Sequence, residues 1–102
     1  MSNLQLEIQP QTARRLRKVL KCYPDQESFV QSIISYQIAE LKQSILNLHL
    51  DLQEYEEQYQ LETEDFYQQF SQGKTDDREN YLIWAGVYEL LCKNEERLQE
   101  LR

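Results

Sequence analysis

Leu4, Leu6 and Ile8 alternate with Asn3, Gln5, Glu7 and Gln9, and this period-2 pattern of a half-buried β-strand occurs nowhere else in the 102 residues. A chain with one strand has nothing of its own to pair it with. Its row of backbone donors and acceptors stays unmet, and even a two-stranded ribbon is marginal unless something packs on its apolar face. A second copy of the same chain is the simplest partner, so the sequence predicts a homodimer or higher homo-oligomer in which Leu4, Leu6 and Ile8 lie on the inner side.

Everything after the strand reads as helix, which makes the fold class mainly α. Pro10 suits a first helical turn, where its missing N–H costs nothing, and Ala13, Leu16, Val19 and Leu20 recur at helical spacing until Pro24. Asp25 is placed to cap a second helix running from Gln26 to about Gln60. Within it Ile34, Ile38, Leu41, Ile45, Leu48, Leu52, Tyr55 and Tyr59 follow one another at alternating spacings of four and three, an unbroken heptad seam with no Gly or Pro inside. Such a helix, on the order of 50 Å long, needs a facing helix to bury the seam, from a second chain or from its own. The seam residues Ile34 to Leu52 are accordingly expected, with the strand, to hold the dimer. Thr63 then reads as the N-cap of a short helix carrying Phe66, Tyr67 and Phe70, closed by Gly73, and Asp76 or Asp77 as the cap of a last helix. That helix carries Trp84, Val87, Leu91, Leu98 and Leu101 on one stripe, widened by Tyr81, Ile83 and Tyr88.

Charge divides the chain more sharply than the total of −7 suggests. Residues 1–50 carry six Lys/Arg against four Asp/Glu, net +2, and residues 51–102 carry five against fourteen, net −9. The two halves are built for different partners. Cys22 and Cys92 are distant and sit inside amphipathic patterns, which suits idle or packed thiols in a cytoplasmic protein. The sequence has neither the basic-then-apolar start of an export signal nor a stretch of about 18 apolar residues, so no membrane partner is expected. A single His49, two separated cysteines and no Gly-rich phosphate loop give no nucleophile and base to assemble, and the expectation is no enzyme and no cofactor. Glu54 and Glu57 are at helical metal-bridging distance, but the Glu-x-x-His companion is missing, so no metal is expected either.

The succession L-x-L-x-I-x-P, T-A-R-R-L-R-K-V-L and Y-P-D-Q-E-S-F-V-Q-S-I-I over residues 3 to about 45 resembles the ribbon-helix-helix family of small dimeric DNA-binding proteins. That resemblance implies an antiparallel ribbon, one strand from each chain, entering the DNA major groove. By position it places Asn3, Gln5 and Glu7 toward the bases, and Arg14, Arg15, Lys18 and the start of the second helix near Ser28 toward phosphates. The module would span residues 1–45, leaving 46–102 as an acidic helical extension for a toxin or for oligomerisation.

Many proteins of this family are antitoxins, and the segments Y-E-E-Q-Y, E-D-F-Y-Q-Q-F-S-Q-G and D-D-R-E-N-Y-L-I-W-A-G-V-Y-E-L-L look like the C-terminal halves of antitoxin-like proteins. The implied function is neutralisation of a protein toxin, such as a ribonuclease, by the acidic half, with operator DNA as a further partner. Tyr81, Trp84, Tyr88 and Leu91 are the candidate toxin anchors, since large amphipathic rings dominate interfaces; the same stripe would serve equally as core. The alternatives are a ribbon-helix-helix repressor without a toxin and a structural coiled-coil dimer.

Overall fold

A computed structural model describes residues 1–102 and is all helical: α1 Pro10–Leu20, α2 Gln26–Tyr59, α3 Thr63–Ser71 and α4 Glu79–Leu101. The chain divides into two compact units, Met1–Ser35 and Tyr36–Arg102.

In the first unit residues 1–9 form no regular element. The predicted strand is therefore absent from the single chain, for the reason its lone occurrence implies: no second strand is present to accept its hydrogen bonds. Gln9 is extended and caps α1 with its backbone only, Pro10 taking the first helical position. The helix tightens at its end through Cys22 N–H to Val19 O (3.0 Å) and Tyr23 N–H to Leu20 O (3.1 Å). Asp25 then caps α2 as expected, its Oδ1 accepting the Ser28 N–H at 2.7 Å. The main side-chain packing here is Tyr23 edge-on to Phe29, ring centres 5.3 Å apart, with Ser32 Oγ near the Tyr23 hydroxyl. No residue of α1 is buried.

The second unit holds the core. Leu48 and Leu52 of α2, Phe66 of α3, and Trp84, Ala85 and Leu91 of α4 are buried together, with Ile45, Tyr55, Tyr59 and Leu61 packed on them. The centre is Trp84, 0 % exposed. Its indole lies flat on Phe66 with centres 3.8 Å apart, and Tyr55 and Tyr59 stack beside it at 5.6 and 5.5 Å. Two polar bonds tie α4 to α2 along its length, Asn80 Nδ2 to the Tyr59 hydroxyl (2.9 Å) and Asn94 Nδ2 to Ser44 Oγ (2.9 Å), and they show the two helices running antiparallel. From Ile45 onward the heptad seam is thus covered by the same chain: Leu48 and Leu52 are buried in its core and Ile45 packs against it. Ile34, Ile38 and Leu41 remain half-buried.

The turns explain where the helices stop. Gln60 adopts φ 51° after α2, and the Leu61 N–H returns to Glu56 O at 3.3 Å. After α3, Gly73 has φ 71°, and the bonds Lys74 N–H to Gln69 O (2.9 Å) and Gly73 N–H to Phe70 O (3.1 Å) complete a Schellman closure. Two caps differ from expectation. Thr63 is the first residue of α3, not its cap; its N–H is met by Glu56 Oε2 from α2 at 2.8 Å, and its hydroxyl accepts the Trp84 indole N–H at 3.0 Å. Arg78 occupies the cap position of α4, and Asp76 supports it from outside, accepting both the Arg78 N–H (3.1 Å) and its guanidinium (2.9 and 2.8 Å).

Candidate binding surfaces

The N-terminal surface is apolar on one set of positions and polar on the other. Leu4, Leu6 and Ile8 are 84, 64 and 43 % exposed, although all three are large aliphatic side chains. Asn3, Gln5 and Glu7 are exposed as well, as are Arg14, Arg15, Arg17, Lys18 and Lys21. None of these five cations is paired, since the one ion pair of the chain is Arg78–Asp76. A row of free cations on one short helix is suited to a polyanion. Ser28 differs from the rest. Its N–H is already taken by Asp25, whose carboxyl is held below its ordinary value chiefly by that bond. The N–H of Ser28 is therefore satisfied within the chain, by the residue that caps α2.

The aromatic stripe of α4 is the inner face of that helix. Trp84 is 0 % and Leu91 3 % exposed, and Tyr81 and Tyr88 are half-buried against the same cluster. As anchors for a partner, Trp84 and Leu91 would have to leave the core, so in this fold they stabilise the unit and only the rims of Tyr81 and Tyr88 face outward. The Tyr67 hydroxyl donates to Glu89 Oε1 at 2.7 Å, joining α3 to α4 at the surface. That bond raises the Tyr67 phenol above its ordinary value, and desolvation raises that of Tyr88.

Beside the core, a groove of about 690 Å³ opens between α2, the start of α3 and α4. Its floor is Leu52 and Leu91, and its rim carries Glu56, Glu62, Glu64, Glu95 and Glu96 with His49 and Cys92 among them. None of these carboxylates has a cation against it, and Glu56 accepts the Thr63 N–H. Nowhere do three His, Cys, Asp or Glu side chains converge as a metal site, and no helix is long and apolar enough to cross a membrane. The rim comes from three separated stretches and has no local motif; only the net charge of the second half points to it. Comparison with protein-family models, with curated proteins and with solved structures gives no match.

Proposed function

We propose that the protein is the antitoxin of a type II toxin–antitoxin pair, a homodimer in which the N-terminal strands form a ribbon-helix-helix module that reads operator DNA and the acidic helical unit neutralises a basic protein toxin. The observation that carries this reading is the opposition of the two units. Met1–Ser35 has five unpaired cations and no buried residue, whereas Tyr36–Arg102 is a closed aromatic core under an acidic surface. A module with no buried residue reaches a stable fold by association, and pairing two copies of residues 3–9 would satisfy their backbone and cover Leu4, Leu6 and Ile8. An acidic surface with half-buried tyrosines suits a partner whose own site attracts RNA.

Capture of the tagged full chain from its native host at moderate salt tests this. One small basic companion, recovered near equimolar amount, toxic when expressed alone and silenced by co-expression, is the expected result; recovery of the homodimer alone would sink the toxin half of the reading. The burial of Trp84 and Leu91 favours a second reading, a repressor whose C-terminal unit only supports the dimer. It is supported by promoter binding that weakens steeply between about 50 and 200 mM salt in the absence of any protein companion.

A further inference from the structure

Unit Tyr36–Arg102 has a second, apolar face that its core does not use. Ile83, Leu90 and Leu101 are 45, 47 and 40 % exposed. Ile83, the half-buried Val87 and Leu90 follow one another along α4 at i, i+4 and i+7, on the flank of the helix beside the stripe of Trp84, Tyr88 and Leu91 that faces the core. At the upper end of this run a groove of about 320 Å³ lies between the helices, lined by Asp51, Glu54, Tyr55 and Gln58 of α2 and by Asn80, Ile83 and Val87 of α4. The α4 wall carries two aliphatic side chains beside Asn80, and the α2 wall carries two carboxylates, neither of which is paired with a cation.

We infer that this face is the docking site for an amphipathic, basic helix of a partner protein, laid along α4 with its apolar side chains on Ile83, Val87 and Leu90 and its Lys or Arg side chains over Asp51 and Glu54. The inference deepens the antitoxin reading and rests on it, since it names the toxin segment that the acidic half receives. Charge decides among occupants. A second copy of the unit would bring a surface with six Lys/Arg against fifteen Asp/Glu onto Asp51 and Glu54, like charge on like. A basic helix brings opposite charge to the α2 wall and apolar anchors at i, i+3 or i+4 and i+7 to the α4 wall, the pattern of helix-in-groove recognition. Ile83, Val87 and Leu90 span roughly 10 Å at 1.5 Å per residue, two turns of a docked helix.

The probe is a synthetic 18-residue peptide with leucines on one helical stripe and lysines elsewhere, titrated calorimetrically into the full-length chain at low and moderate salt. Binding is expected to be at least about tenfold weaker in Ile83→Ser/Leu90→Ser, the loss typical of removing interface anchors. In Asp51→Asn/Glu54→Gln it should be weaker and less sensitive to salt. Both variants should keep the helical circular dichroism of the parent, as the altered side chains lie outside the core. No binding of the peptide, or unchanged binding in Ile83→Ser/Leu90→Ser, overturns the site. Loss confined to Glu95→Gln/Glu96→Gln moves the basic helix to the larger groove, so this site falls while the basic-partner reading stands. A lower oligomer mass for Ile83→Ser/Leu90→Ser in sedimentation makes a second copy the occupant and also overturns it.

Discussion

Residues 1–35 and residues 36–102 solve the same problem, an amphipathic chain with too much apolar surface, in opposite ways. The second unit closes on itself, with three helices, one indole at zero exposure and a ring stacked on it at 3.8 Å. The first unit buries nothing and leaves Leu4, Leu6, Ile8, Val19, Val30 and Ile33 each more than two-fifths exposed. The difference is one of contact range. Phe66 and Trp84 are eighteen positions apart and meet through a short helix and a turn, so the unit carries its own partner; a single strand carries none. The charge contrast persists across the packing boundary, since residues 1–35 have five Lys/Arg against three Asp/Glu and the rest six against fifteen.

The comparison breaks most visibly if the first unit does not depend on a second chain. Leu6→Asp should shift the full-length protein from dimer to monomer in sedimentation equilibrium. Burying a leucine is worth roughly 1.5–3 kcal/mol, and each dimer loses two, so the association weakens by roughly 3–6 kcal/mol. The near-ultraviolet signal of Trp84 should persist in that monomer. A Leu6→Asp protein that stays dimeric would show that the strand is not what joins the chains. Trp84→Ala comes next, at about 3–5 kcal/mol of unfolding stability for an aromatic removed from a packed core, with the Thr63 hydroxyl left without its donor. Urea unfolding measures it, and a change below 1 kcal/mol would mean that the closed core is not the source of the second unit's stability.

Helix positions were largely legible because their determinants are local. The absence of Gly and Pro between Gln26 and Tyr59, the Asp25 cap and the Gly73 closure each act within a few residues, and the expected and observed limits of α2 differ by one residue. Partners were not legible. A heptad repeat specifies which face of α2 is buried but is silent on whether the covering helix is its own α4 or another chain's. The same limit applies to Trp84, whose stripe reads as interface or core with equal ease until α2 and Phe66 are brought around it. Thr63 shows how a correct boundary hides a wrong role. It does begin α3, yet Glu56 does the capping, and the Thr63 hydroxyl serves an indole twenty-one positions on. Asn94 was the one available clue to the intrachain pairing, a polar side chain between Leu91 and Leu98 that a buried stripe tolerates only with a designated partner.

That partner supplies the next smaller effect. Asn94 is 7 % exposed and donates to Ser44 at 2.9 Å. Asn94→Ala removes the bond and part of the packing and should destabilise the second unit by about 1–3 kcal/mol. Ser44→Ala combined with Asn94→Leu should recover much of that loss, since apolar groups replace both partners. If Asn94→Ala is neutral, the antiparallel register of α2 and α4 is held by the aromatic stack alone. Smaller again is Gln60→Gly. Gln60 pays for φ 51° without a glycine's freedom and recovers part through its Nε2 bond to Glu57 O at 2.7 Å. The substitution should raise stability by about 0.5–1 kcal/mol, read as a higher urea midpoint at unchanged slope. A fall would mean that the side-chain bond outweighs the backbone strain.

The smallest effect sharpens the contrast by touching the first unit alone. The Asp25 carboxyl is held below its ordinary value of 3.8 by the Ser28 N–H it accepts. Because the folded carboxyl titrates below the unfolded one, the stability it lends is whole above that ordinary value and is lost as pH falls through the folded one. Helicity at the start of α2 should therefore drop as pH falls below the ordinary carboxyl value of 3.8 in the parent, with Asp25→Asn, a neutral cap, abolishing that step. Amide exchange at Ser28 and Phe29 reports it locally, while the indole of Trp84, whose hydrogen bond goes to Thr63, should not register the same transition. If the Trp84 signal followed the Asp25 titration step for step, the two units would be folding as one, and the division drawn at Ser35 would be a boundary of packing without being a boundary of cooperativity.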